Sequence, residues 1–143
     1  MRQRNRAAKS ASPSQRETSN YLFVYGTLMR GRKRHSHLAR NPSVHFVGTG
    51  RIQAELFQLR GRHYPGAVPT AKRNQFVHGE LYRIDYPEKT LSILDDVEGR
   101  DEGLFRRQLV DVWSNGKKTK AWTYFYARPL TEAEPITSGS YGR

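Results

Sequence analysis

The chain contains no cysteine. That excludes disulfides, thiolate metal sites and cysteine nucleophiles together, and it fits a reducing, cytoplasmic setting rather than an oxidising one. Long apolar runs are absent too. No stretch nears the roughly 20 residues that a membrane-spanning helix requires, so no membrane association is expected. Met1 to Ser19 carries arginines with no apolar stretch behind them, which is not the form of a secretory signal, although transit peptides share its Arg- and Ser-rich, acid-poor composition. Acidic residues are scarce, 13 against 25 Lys and Arg, giving a net charge of +12. A surface this basic draws polyanions at low salt. No zinc-finger spacing, KH-type loop or paired aromatic RNP-type strand supports specific nucleic-acid recognition. The expectation is therefore weak, nonspecific polyanion binding, chiefly through the basic tail. P-loops, Gly-x-Gly-x-x-Gly fingerprints and Gly-x-Ser-x-Gly elbows are also missing. His35 and His37 have no clear third ligand nearby in the sequence, so no metal is expected.

What remains divides into a tail and one domain. Residues 1–19 are rich in Arg, Ser, Gln and Ala, with almost nothing apolar. They cannot repay the entropy of ordering, and a disordered basic tail is expected. Residues 20–143 suffice for one hydrophobic core without staples. Tyr21 to Tyr25 is a run of strand formers ended by Gly26. His35 to Arg40 reads as a short helical turn stopped by Asn41-Pro42. Val44 to Gln58 reads as one or two strands bent at Gly48 and Gly50, and the Pro- and Gly-containing stretch Gly61 to Pro69 as an irregular loop. Phe76 to Ile84 alternates as a strand, with Val77, Gly79 and Leu81 on one face and His78, Glu80, Tyr82 and Ile84 on the other. Pro87 opens a helix whose apolar side is Leu91, Ile93 and Leu94 and which ends between Asp95 and Gly99. Phe105 to Trp113 and Lys120 to Tyr126 are strands around a Ser114-Asn115-Gly116-Lys117 hairpin turn. Beyond Pro129 the chain is expected to wrap the surface. The sum is an α+β fold: a small, mostly antiparallel sheet or barrel flanked by a few short helices.

Three groups of residues could carry chemistry. In Tyr25-Gly26-Thr27-Leu28 a strand stops and a glycine turns the chain. That frees successive backbone N–H groups, which suit an anion, unless the segment is an ordinary turn. In Asp95-Asp96-Val97-Glu98 three acids crowd the end of a helix, where the dipole and mutual repulsion both disfavour negative charge. A carboxylate with a raised pKa there would make a general base near neutral pH; a solvated acidic loop is the alternative. Trp122, Tyr124 and Tyr126 share one strand face, as core residues or with one hydroxyl in a polar pocket. Glu80 is a rival carboxylate, expected to face solvent.

Five stretches in order resemble the γ-glutamylcyclotransferase-like family, which includes AIG2-like and YtfP-type proteins. They are Phe23-Val24-Tyr25-Gly26-Thr27-Leu28, His63-Tyr64-Pro65-Gly66-Ala67-Val68-Pro69, Val77 to Asp85, Leu94-Asp95-Asp96-Val97-Glu98-Gly99, and Ala121 to Tyr126. The resemblance implies a small β-barrel flanked by helices. It also implies an enzyme that takes a small-molecule γ-glutamyl amine or amide and releases 5-oxoproline and a free amine, with no cofactor. It assigns Glu98 as the acid/base. It assigns Tyr25, Gly26, Thr27 and Leu28 as the segment whose backbone holds the glutamyl end, with Tyr126, ahead of Tyr124, as a pocket hydroxyl. A non-catalytic binding module of the same fold, or a nucleic-acid-associated protein acting through its tail, are the alternatives.

Overall fold

The computed structural model describes residues 18–99 and 103–142. Its elements are strand β1 (Tyr21–Val24), helix α1 (Ser36–Ala39), β2 (Val44–Gln58), β3 (Pro65–Pro69), β4 (Phe76–Ile84), helix α2 (Pro87–Val97), β5 (Phe105–Ser114), β6 (Lys117–Tyr126) and β7 (Glu134–Pro135). Hydrogen-bonded order runs β3-β2-β4-β1-β6-β5, and a further β2–β5 pairing at Arg51 and Trp113 closes β2, β4, β1, β6 and β5 into a barrel. Among the described residues only the β1–β6 pairing, at Leu22 and Trp122, is parallel. Closure leaves the five barrel strands without the open edges that would otherwise invite aggregation, while β3 stays at an edge.

Alternation along the strands produces two buried clusters. One contains Phe23, Ile52, Val77, Leu81, Val112, Ala121 and Phe125, drawn from all the barrel strands, and fills the interior. The other takes the intervening residues Leu22, Val24, Tyr82, Ile84 and Tyr124 and covers them with Leu38 of α1 and Leu91 and Leu94 of α2. Each buried leucine of α2 contributes about 2 kcal/mol by removing apolar surface from water. Ile93, expected on this buried side, is 49% exposed, because its helical position points it away from the barrel. Gly79 is required at the β1–β4 contact: a Cβ there would lie 2.1 Å from the Val24 carbonyl oxygen.

One of two alternatives is selected and one local reading changes. Val44–Gln58 is one continuous strand with a register irregularity between Phe46 and Gly48. Pro65–Pro69, read as an irregular loop, is strand β3. Among the described residues it pairs only with β2, and an edge strand tolerates prolines because one side of its ladder is unused. The hairpin signal takes its expected form, with Asn115 at φ +52° and Gly116 at φ +75°, as the tight turn between antiparallel strands demands. The C-terminal segment stays on the barrel: β7 pairs with β2, and the His78 amide donates to the Gly139 carbonyl at 2.8 Å. Residues 1–17 of the expected tail lie outside the described residues; Ser19 donates its hydroxyl to the Lys120 carbonyl at 2.6 Å. No helix among the described residues is long and apolar enough to cross a membrane.

Candidate functional site

A cleft of about 340 Å³, counting its mouth, opens where β1 ends. Phe23 to Leu28 form one side, and Tyr64, Pro65, Glu98, Phe105 and Tyr124 line the rest. The turn segment and the helix-end glutamate, singled out separately in the sequence, thus share one cavity.

The turn holds its shape through its flanks. The Met29 amide donates to the Gly26 carbonyl at 3.1 Å and the Arg34 amide to the Thr27 carbonyl at 2.8 Å. Glu80 accepts from the Arg30 amide at 2.9 Å and from the Tyr82 hydroxyl at 2.9 Å. Glu80, expected in solvent, is only 8% exposed and anchors the loop from behind. By contrast, the amides of Gly26, Thr27 and Leu28 have no acceptor among the described residues. Unpaired main-chain donors at a partly buried position are costly, so a ligand acceptor suits them. Gly26 does not adopt a left-handed conformation. What limits it is Pro65, whose ring carbons would sit 3.1 Å from an added Cβ.

Tyr25 is fixed by the barrel. Its hydroxyl donates to the Tyr124 carbonyl at 2.6 Å and accepts from the Ala67 amide at 3.1 Å. Burial pushes its pKa far above the phenolic range, and the nearby Glu98 charge adds to the rise. The phenol therefore stays protonated and contributes wall and position rather than proton transfer.

Helix α2 delivers the glutamate. It ends because Gly99, at φ +69°, takes the left-handed position after the last turn. Glu98 occupies the cap, with its amide bonded to the Leu94 carbonyl at 2.9 Å. Its carboxyl is pushed up to about 7 by burial in the cleft, with Arg34 pulling the other way. Mutual repulsion among the three acids is not the cause. Asp95 is buried and bound to Arg107 at 3.1 and 3.3 Å and to the Tyr124 hydroxyl at 2.7 Å. Asp96 is exposed. Only Glu98 of the three lines the cleft.

Arg34 was legible only as part of a basic run. Its Nη1 donates to the Val97 carbonyl at 3.3 Å while its amide holds Thr27. It thereby ties the helix end to the turn and places a cation where the helix dipole favours one. Tyr126 packs its ring on Phe105 at 5.6 Å between centroids, outside the lining residues. Tyr124 lines the cleft with its ring while its hydroxyl points at Asp95. Tyr64 and Phe105 complete the walls; no spacing in the sequence singled out Phe105. No group of three potential metal-ligating side chains occurs among the described residues.

This geometry has relatives. The YtfP protein of Escherichia coli (strain K12), described as a γ-glutamylcyclotransferase family protein, is 38% identical over 121 residues, covering 84% of this chain and 94% of the relative. The γ-L-glutamyl-butirosin B γ-glutamyl cyclotransferase of Niallia circulans is 33% identical over 112 residues, covering 75% and 67%. The crystal structure of an AIG2-like protein from Mus musculus superposes with a TM-score of 0.65 at 26% identity, covering 78% of this chain and 79% of that one. The family described as "Gamma-glutamyl cyclotransferase, AIG2-like" matches residues 22–143. With the barrel, the turn after β1 and the helix-end glutamate in one cleft, the chain belongs to the γ-glutamylcyclotransferase, AIG2-like family.

Proposed function

We propose that this protein is a cyclotransferase that releases 5-oxoproline from γ-glutamyl amines or amides, with Glu98 as general base and then general acid. The substrate's α-amine nitrogen attacks its own γ-carbonyl carbon and forms the five-membered lactam. Glu98 takes the proton that the amine gives up. The C–N bond to the leaving amine breaks as that nitrogen receives a proton from Glu98. Atoms balance without water, oxidant or a covalent link to the protein.

The observation that carries this reading is the pairing of a carboxyl titrating near 7 with unpaired amides across one cleft. A base works best when its pKa is close to the working pH. Preset donors lower the barrier most where negative charge develops, here the γ-carbonyl oxygen. In this reading the Gly26, Thr27 and Leu28 amides meet that oxygen and the glutamyl end. Tyr25 holds the turn in place, Arg34 sets the distance between turn and helix, and Tyr126 backs the cleft wall through Phe105. Folding the substrate so that its amine meets its own carbonyl supplies a further large factor. The Niallia circulans relative is named for removing a γ-glutamyl group from an amine, which agrees in reaction type.

Incubation with γ-glutamyl amides of several amines, followed by chromatography for 5-oxoproline, tests the proposal. Product is expected from wild-type protein, with a loss of at least a hundredfold in Glu98→Gln, the range over which positioned general acid–base groups act. Ligand-induced thermal stabilisation with no product from any γ-glutamyl compound would instead make the protein a binding module.

A further inference from the structure

A second recess opens beside the residues that follow the turn. It measures about 1350 Å³ counting its mouth, and it shares no lining residue with the cleft. Five segments wall it: the loop after β1 with Arg30 and Arg32, β2 with Arg51, β4 with Glu80, the end of β5 with Trp113, and the C-terminal stretch with Tyr141. β2 and β5 meet there at the Arg51–Trp113 pairing that closes the barrel. Gly50 and Gly79, cross-strand partners on β2 and β4, also line it, so the backbone is bare at that point.

Three guanidinium groups share this recess with one acid. Among the described residues Glu80 is the one carboxylate in its lining, and Arg30 pairs with it at 3.3 Å. Arg32 donates Nη2 to the Tyr141 carbonyl at 2.9 Å, which holds the C-terminal wall but leaves the charge uncancelled. Arg51 is exposed and forms no ion pair among the described residues. Each of the three lies over an aromatic ring: Arg30 over Phe46 at 3.8 Å, Arg32 over Tyr141 at 5.2 Å and Arg51 over Phe76 at 4.6 Å. Those rings restrain the guanidinium forks in advance, which lowers the entropy lost when a ligand orders them. A recess lined by one sign of charge also focuses its field and concentrates the opposite ion.

Counting the arginines against Glu80, the excess is two positive charges. A single carboxylate supplies one negative charge. A phosphate monoester supplies nearly two at neutral pH, with three acceptor oxygens, in the geometry that guanidinium forks match. Trp113 adds a second feature. It is 36% exposed in this cationic wall, and an edge-to-face contact with Phe76 at 6.2 Å between centroids steadies its ring. An exposed indole there suits a planar ring on the ligand. Walls on five segments bound the site, which fits one nucleotide better than a passing strand. We propose that this recess binds a mononucleotide, with Arg32 and Arg51 on the phosphate and Trp113 against the base. The site stands apart from the cyclotransferase reading, and its test needs no turnover.

Affinities of the full-length protein are measured by calorimetry for AMP, ribose 5-phosphate, adenosine, succinate and a short oligothymidylate. AMP is expected to bind roughly tenfold more tightly than ribose 5-phosphate, which lacks the base, and at least about tenfold more tightly than adenosine or succinate. Arg32→Gln and Arg51→Gln should each weaken AMP roughly tenfold. Arg40→Gln removes the same charge at an exposed position outside the recess and should change AMP binding by less than about twofold. Trp113→Leu should weaken AMP roughly tenfold and leave ribose 5-phosphate unchanged. Arg32 also holds Tyr141, so circular dichroism melts check that variant, and exposed Arg51 carries the test if it fails to fold. Adenosine or succinate binding as tightly as AMP overturns the proposal. So do Arg32→Gln and Arg51→Gln effects no larger than that of Arg40→Gln. A Trp113→Leu loss equal for AMP and ribose 5-phosphate would take the base away from Trp113 and overturn the mononucleotide assignment. Binding of the oligothymidylate with none of AMP would overturn it in favour of a nucleic-acid strand.

Discussion

Replacing Glu98 by Gln should stabilise the protein above neutral pH while removing its proposed activity. Burial raises the carboxyl from 4.5 to about 7 in the fold. At 1.36 kcal/mol per pK unit, the folded state disfavours the ionised form by roughly 3 kcal/mol. Glu98 is half-buried, and allowing for solvent screening leaves about 2 kcal/mol. The sign follows from proton linkage. The unfolded chain gives up this proton near pH 4.5, whereas the folded chain holds it until about 7. The wild-type penalty is therefore absent below the unfolded pKa, grows between the two values and is complete above about 7. Glutamine is neutral throughout and resembles the protonated acid in shape, so subtraction isolates this one group. Urea unfolding of both proteins at pH 4.5 and pH 8 should give near-equal stabilities at the lower pH. At the higher pH Gln should lead by about 2 kcal/mol, or roughly 5–10 °C in Tm. A difference that does not change with pH, or a variant less stable at pH 8, would refute the claim that burial in the cleft holds this proton.

Further outcomes follow from the same geometry. The acid limb of kcat/KM for 5-oxoproline formation should show an apparent pKa near 7 and fall about tenfold per pH unit below it, as measured by initial rates across pH 5–9. Asp95→Asn should cost about 2–4 kcal/mol by urea denaturation, because it strips a buried carboxylate from Arg107 and Tyr124. Gly79→Ala should cost about 3 kcal/mol or prevent folding, since the added methyl meets the Val24 carbonyl; circular dichroism melts measure this. Any polyanion affinity of the basic tail should fall steeply with salt in a fluorescence titration with single-stranded nucleic acid and largely vanish on deleting residues 1–19.

Much of the barrel could be read from residue order because strand alternation is a local signal. Phe23 and Leu22 point to opposite faces whatever lies beyond them, and Asn115-Gly116 fixes its hairpin by backbone preference alone. Pro87 and Gly99 bracket α2 for similarly local reasons. What escaped depended on distant partners. Pro65 and Pro69 argue against a strand until β3 is known to sit at an edge, paired with β2 on one side. Glu80 looked like a surface acid because its partners come from the loop after β1 and from its own strand's Tyr82. The three acids of α2 could not be told apart by spacing: their roles are set by Arg107 and Tyr124 on the sheet below and by the cavity beside Glu98. Arg34 joins Thr27 to Val97, and its bond to Val97 reaches across 63 positions, which no local pattern encodes.

The most direct test of the central claim is a crystal structure of the Glu98→Gln protein with an uncleaved γ-glutamyl amide. The account predicts the γ-carbonyl oxygen within about 3 Å of amides in the Gly26 to Leu28 turn, with the α-amine turned toward residue 98. A ligand seated away from that turn, or bound with its α-amine facing solvent, would contradict it.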